Sequence, residues 1–259
     1  VLNLDAERGQ IDFPLNDGVE LVDFSDLKMR CTHDPKTETL TIDYIKAKIN
    51  DTATVSLSGD LNEPRDSDLV AGTLKLSIQN LPHSYIEKYW PKSKSKNGGY
   101  RWLVNQMNGG TFNNLNITTV FDLSATERSD GIPLPPQLLS VKGDVVYDGL
   151  NIKYHPKMAI AKNVKGSGRY DDVSLTLNVD KAEVGGMIAK GATLYFDDVI
   201  RKGKGIAQLV FPVKSNAQNV FDYIAGEPIN AFKKTNFKPK NTKGDVDATI
   251  ELEFPLIKG

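Results

Sequence analysis

The stretch near the end of the chain alternates without a break. Val246, Ala248, Ile250, Leu252 and Phe254 are apolar, and Asp247, Thr249, Glu251 and Glu253 between them are polar. Successive side chains of a strand point to opposite faces, so this pattern makes one dry face and one wet face. The same period of two recurs along most of the sequence. Leu40, Ile42 and Tyr44 alternate with Thr39, Thr41 and Asp43. Val55 and Leu57 lead to Gly59, and Leu74, Leu76 and Ile78 alternate with Lys75, Ser77 and Gln79. From about Phe112, Leu115, Ile117, Thr119, Phe121 and Leu123 share a strand face. Further strands are expected at Val141–Tyr147, Leu150–Tyr154, Val173–Val179, Ala192–Phe196 and Ile206–Phe211. Asn16-Asp17-Gly18, Asp34-Pro35 and the charged loop Asn62 to Asp68 supply turns between the early strands.

Helical signals are few. Ser84 and Glu87 make a capping box for a helix from Tyr85 to Trp90, stopped by Pro91. A second helix is expected from Tyr100 to Asn108, with Leu103 and Met107 on one stripe and Gly109-Gly110 at its end. Ser215 and Gln218 open a third, whose inner side is Ala217, Val220, Phe221 and Ile224 and whose end is Gly226. About ten or more dry strand faces therefore stand against three short helices, which cannot cover them. Either the sheet folds on itself as a closed β-sandwich, a scaffold or protein-interaction module, or it curls and leaves an apolar groove for a ligand.

The chain also resembles itself. Residues 24–30 line up with 147–153, and 40–49 with 175–184, in the same order. The expected organisation is one continuous segment, 1–259, or two repeat units, 1–130 and 137–259, meeting at the Pro-rich connection Ile132 to Pro136. Val1 opens a polar, linker-like stretch without an initiator Met, which reads as a piece of a longer protein.

Several chemistries find no support. Lys+Arg of 32 against Asp+Glu of 33 provide no global basic field for nucleic acid. One cysteine, Cys31, excludes an internal disulfide, and no apolar run reaches the ~18 residues needed to cross a bilayer as a helix. His33, His83 and His155 are far apart and without ligand-spaced partners, so they read as solvated turn histidines and no metal or cofactor is expected. Gly166-Ser167-Gly168 and Gly203-Lys204-Gly205 lack the third glycine of a dinucleotide fingerprint. Asp171-Asp172 and Asp197-Asp198 sit at strand ends, where Asp forms turns, and not as opposed acid–base carboxylates. No catalytic residue is expected. The lysine groups Lys92, Lys94, Lys96 and Lys233–Lys243 read as solvated loops, with anionic headgroups as the functional alternative.

One set of motifs has a family likeness. Tyr89-Trp90-Pro91, then Arg101-Trp102-Leu103 and Gly109-Gly110, resembles the YhdP-type members of the bacterial AsmA-like superfamily. Val145-x-Tyr147-x-Gly149-Leu150-x-Ile152-x-Tyr154-His155-Pro156 resembles the family's next block, and Gly166-Ser167-Gly168-Arg169-Tyr170 the one after. The tail is similar too, with its helix, Glu227-Pro228-Ile229, Lys-rich loop, Gly244 and strand to Phe254-Pro255-Leu256. The resemblance runs from about residue 80 to 256; the earlier residues agree in style. The family commonly has prolines after Tyr-His-Pro, where this chain has Lys157-Met158-Ala159-Ile160.

The resemblance implies a mainly β fold: a long, strongly curved antiparallel sheet, taco-like in section, with about three short helices. It implies a periplasmic segment of a protein anchored in the inner membrane of a Gram-negative bacterium. Such a protein holds phospholipid acyl chains in a hydrophobic groove and serves outer-membrane lipid homeostasis. Its partners would be phospholipid, flanking segments of the same chain and membranes at the ends of the full-length protein. The dry-face residues expected to line such a groove are Leu115, Ile117, Val173, Leu175, Leu177, Val179, Ile250, Leu252 and Phe254.

Overall fold

The structure is a computed structural model that describes residues 1–15, 18–62, 71–89, 103–122, 137–197, 205–235 and 237–255. These residues form one 14-stranded antiparallel sheet and three short helices, so the chain is mainly β as its alternation requires. The first strands are β1 (Leu2–Leu15), β2 (Gly18–Asp34), β3 (Thr39–Ile49), β4 (Ala53–Asn62) and β5 (Ala71–Pro82). Helix α1 (His83–Tyr89), the turn α2 (103–105) and the short β6 (Met107–Asn108) follow. Then come β7 (Thr111–Asp122), β8 (Gln137–Ile152), β9 (Ala161–Tyr170), β10 (Leu175–Val184), β11 (Met187–Ala189) and β12 (Ala192–Phe196). The last elements are β13 (Ile206–Asn216), α3 (Ala217–Ala225) and β14 (Asp245–Pro255). The sheet order is β1-β2-β3-β4-β5-β7-β8-β9-β10-β11-β13-β12, with β14 on β13, β6 on β8 and a second pairing of β10 with β12. Sequence neighbours are mostly sheet neighbours, as in a meander.

Local departures have local causes. The stretch expected as a polar linker is β1, fixed by its pairing with β2 from Leu2↔Cys31 to Leu15↔Gly18. β8 is one strand where two are expected, because Gly149 at φ 72° absorbs the irregularity within the ladder. β9 has no counterpart among the expected strands. Its inward positions are Val164, Gly166 and Gly168, and two glycines carry no apolar signal. Met107 and Asn108 leave the expected second helix to pair with Ile152 and Asn151, which buries Met107. The α3 cap is Asn216 rather than Ser215, its side chain accepting from Asn219 N at 3.0 Å, and Ser84 lies inside α1. The two self-similar blocks fall on β2 and β3, and on β8 and β10, with β9 between the second pair. Trp90, Trp102, Lys92–Lys96 and the 132–136 connection lie outside the described residues.

Two compact units share the chain. The first takes in Val1–Leu81, Asn113–Val145 and Tyr170–Asp172; the second takes in Pro82–Phe112, Val146–Arg169 and Val173–Gly259. In the first, the Tyr170 ring lies over Gly143, and a Cβ added to Gly143 would stand 2.1 Å from Asn116 O. Asp172 ties this segment to β8 by accepting from Val141 N at 2.6 Å and Ser140 Oγ at 2.9 Å. In the second unit, Tyr147 lies over Gly166 in the same manner and donates to Asn178 O at 3.1 Å. Around it Leu150, Ile152, Val164, Val184 and Met187 are buried. Here β12 and β13 pair through Thr193↔Val210, Leu194↔Leu209 and Tyr195↔Gln208.

His83 is not a solvated turn residue. It is buried, and since a carbonyl can only accept, its Nε2 donates to Leu103 O at 2.7 Å and ties α1 to α2.

Two tests follow from this packing. Gly166→Ala places a Cβ 2.0 Å from Asn178 O and 2.9 Å from the Tyr147 hydroxyl oxygen. Chemical denaturation should report a loss of about 2 kcal/mol or more; unchanged stability would show that the strands are not this close. The second concerns phenols. Burial raises Tyr147, Tyr154 and Tyr223 above the ordinary tyrosine value, and pushes Tyr170 up to about 12, aided by Asp144. The folded value is above the unfolded one, so this contribution to stability is intact below pH 10.0 and lost as pH rises through the folded values, for Tyr170 between 10.0 and about 12. Alkaline absorbance titration should show these four ionising late among the nine tyrosines, together with loss of sheet signal. Simultaneous ionisation of all nine near pH 10 in an intact sheet contradicts the burial.

Candidate functional site

Register converts the alternation of single strands into a surface. In the first unit Leu4, Met29, Ile45, Leu57 and Leu76 pair in turn across β1 to β5. Leu2, Cys31, Ile42, Gly59 and Leu74 form the adjacent row on the same face. Ala6 with Leu27, and Ala47 with Val55 and Ile78, extend it past the bulge between Ser25 and Lys28. The other face carries Lys28, Lys46, Ser56 and Ser77 in one row and Thr32, Thr41, Asp60 and Thr73 in another. Ion pairs Arg30–Asp43 at 3.4 Å and Lys48–Asp26 at 2.9 Å belong to the exposed surface of the unit, where such pairs contribute little.

Among the described residues of this unit, no second layer buries the apolar face. Met29, Ile45, Leu57, Leu74, Leu76, Leu115 and Ile117 are all only half-buried, and Leu4 and Leu40 are exposed. Phe121 is an exception, its ring packed on Gly72 beside Leu61. All the described helices belong to the second unit. A sheet face closed by a second layer reads as buried side chains; a face awaiting a ligand reads as half-exposed carbon.

The second unit differs. Leu175, Phe196, Ala207 and Phe254 pair in one row, and Leu177, Leu194, Leu209 and Leu252 in the next. Ile250 pairs with Phe211, whose ring meets Tyr223 of α3 edge-on at 5.5 Å. Ala217 and Val220 of α3 are buried against this end. The segment after β8 adds a strap: the Tyr154 and Tyr223 hydroxyls lie 2.8 Å apart, His155 packs edge-on to Phe254 at 5.9 Å, and Lys157 Nζ is 2.7 Å from Glu227. Lys157 holds the Glu227 carboxyl below its usual range. Leu177 (4 % exposed), Leu194 (5 %), Phe196 (6 %) and Ile250 (9 %) are therefore already covered by protein.

The nine expected lining residues thus divide. Leu115 and Ile117 lie half-buried on β7 in the first unit. Leu175, Leu177, Val179, Ile250, Leu252 and Phe254 come together on one face of the second, where Leu177 and Ile250 are buried and the other four half-exposed. Val173 precedes β10 and is 46 % exposed. Met29 and Leu27 are absent from that set because the bulge at Asp26, with φ 53°, breaks the period of β2, and Ile45 because the register of β3 shifts between Ile42 and Ile45. The only signal for them is the short run Leu27, Met29, Cys31. The Tyr154–Tyr223 contact joins residues 69 apart and has no local signal at all.

No group of three or more His, Cys, Asp or Glu among the described residues is placed to hold a metal. A recess of 240 Å³ is lined by Arg8, Gly9, Asp23, Phe24, Ser25 and Asp51, where Ser25 Oγ donates to Asp51 at 3.0 Å. Such an arrangement holds a turn and lacks a base or nucleophile pair.

No curated protein and no solved structure matches the chain. The model of the family described as YhdP protein matches residues 2–259, including the first 80 residues, where the motifs are weakest. With a match along the whole length of the sheet just described, the chain belongs to the YhdP family.

Proposed function

We propose that this chain is a segment of a lipid-transport protein, holding phospholipid acyl chains against the dry face of its sheet. The observation that carries the reading is the uncovered apolar face of the first unit, whose Leu4–Met29–Ile45–Leu57–Leu76 row crosses five strands and stays accessible. Membership of the YhdP family supports it. Lining falls to the accessible residues: the rows of the first unit with Leu115 and Ile117, and in the second unit Leu175, Val179, Leu252 and Phe254. Leu177 and Ile250 then serve as packing beneath them, and Val173 marks the rim.

The mechanism is passive. Each CH₂ moved from water onto carbon is worth about 0.8 kcal/mol, so a chain of about sixteen carbons, half covered, gains on the order of 6 kcal/mol. Equal rows repeat along the face, so a chain moving from one row to the next loses and regains similar contacts. No covalent step is involved and no active site is assigned. The working location is the periplasm, in a protein anchored in the inner membrane and serving the outer membrane. A closed scaffold would need the first unit packed as the second is, around residues like Leu194 and Phe196, and its half-exposed leucines speak against that.

Native mass spectrometry and lipid extraction of the purified chain check the reading. Leu57→Glu and Leu115→Glu should abolish co-purified phospholipid, while Ser56→Glu, on the opposite face of β4, should leave it. Equal lipid in all three, or none in the parent chain, refutes the lining. Leu177→Glu and Ile250→Glu should act differently. Each buries a charge in packed protein, so thermal unfolding should report a stability loss of about 3 kcal/mol or more before any question of lipid arises.

A further inference from the structure

The loop between α3 and β14 displays Lys233, Lys234, Lys238, Lys240 and Lys243, all exposed, and Phe237, 53 % exposed, in their midst. The apolar sheet faces use none of these groups, and the fold engages only the inner half of Phe237. We propose that this loop docks on an anionic phospholipid surface, with Phe237 entering the headgroup layer and the lysines meeting phosphates. This does not depend on acyl chains occupying the sheet.

Three observations carry it. The first is positioning. The rings of Phe221, Phe232 and Phe237 meet edge-on, with centroids 5.2, 5.9 and 6.0 Å apart, so Phe237 is anchored to α3 through two aromatic neighbours while its outer half stays open. Phe237 N also donates to Thr235 Oγ1 at 3.3 Å. The second is pre-organisation of the cations. The Gln218 side chain uses both ends of its amide on the loop, donating to Pro239 O at 3.4 Å and accepting from Thr242 N at 2.9 Å. Ala217 N donates to Gly244 O at 2.8 Å, which fixes the loop's return to β14. Between these ties lies a shallow recess of 460 Å³ bordered by Gln218, Asp222, Lys240, Asn241, Thr242 and Lys243, wide enough for a headgroup.

The third is charge. The nearby acids are engaged: Asp222 accepts from Gln218 at 2.7 Å, Glu227 pairs with Lys157 at 2.7 Å, and Asp247 pairs with Lys214 at 2.9 Å. Glu227 and Asp247 are thus neutralised by other lysines, which leaves Asp222 and Asp245 to set against five lysines whose ammonium groups pair with no carboxylate among the described residues. The chain as a whole has a net charge of −1, so any attraction to an anionic surface must be local. A membrane surface answers both features at once, offering carbon for the ring beneath a layer of phosphate for the lysines. Single-stranded nucleic acid could also stack on the ring, but a chain of net charge −1 has no global basic field to draw it.

Vesicle co-sedimentation of the full chain tests the assignment, with neutral phosphatidylcholine vesicles compared with vesicles containing phosphatidylglycerol. Binding should require the anionic lipid and weaken as salt is raised from low to high ionic strength. Each Lys→Gln substitution among the five should lower partitioning about fivefold, and Phe237→Ala by a similar factor. The five lysines are exposed, so circular dichroism of their variants should match the parent. Leu57→Glu should still bind vesicles, which separates this surface from the acyl-chain reading. Equal binding to neutral vesicles, or no response to the lysine substitutions, overturns the proposal. So does equal retention on single-stranded DNA or polyglutamate with Phe237→Ala silent throughout, since that describes a patch of charge alone.

Discussion

An antiparallel ladder pairs residues directly opposite each other on the same face, and everything else in this molecule depends on that pairing. Met29, Ile45, Leu57 and Leu76 are scattered through some fifty residues, yet the ladders of β2 to β5 set them side by side. A leucine contributes about 2 kcal/mol when buried and far less when its outer side meets water. A row of half-exposed leucines is therefore stabilisation held back, realised when something covers it. The row of Lys46, Ser56 and Ser77 on the reverse face is polar and gains no such stabilisation from being covered.

The two units resolve the same constraint differently. In the second unit, α3 and the strap of Tyr154, His155 and Lys157 bring side chains onto the dry face, and Leu194, Phe196, Leu209 and Val213 become buried. Neither device belongs to the first unit, and its leucines stay accessible. Tyrosine over glycine recurs in both, at Tyr170 over Gly143 and at Tyr147 over Gly166. Each tyrosine reaches across the glycine's strand into space a side chain would take, and its hydroxyl lies within hydrogen-bond reach of a carbonyl two strands away, Asn116 O and Asn178 O respectively. A phenol is neutral at neutral pH, and burial pushes the ionisation of these two further into the alkaline range.

Long sheets carry a hazard at their margins, where unpaired backbone groups can recruit other strands. β14 pairs with β13 on one side only, and its outward positions are Asp247, Thr249, Glu251 and Glu253. β1 carries Asp5, Glu7, Arg8 and Asp12. Charge at these positions disfavours indiscriminate pairing.

Sequence alone determined the mainly β class, most strands, the α3 segment and the excess of dry face, because period-two alternation and capping residues act within a few positions. It also carried the family, through Tyr147-x-Gly149-Leu150 and the Trp-Pro and Arg-Trp motifs. Which dry residues stay open was a tertiary decision. Leu177 and Leu175 share one face of one strand, yet only Leu177 is buried, because exposure depends on what distant segments place above each position. Tertiary structure likewise decided β9, where Gly166 leaves room for the Tyr147 hydroxyl from another strand. It decided Met107, which a ladder with Ile152 drew out of a helix, and the Tyr154–Tyr223 strap. Each of these rests on contacts between residues far apart in the chain, and alternation, being local, holds no information about them.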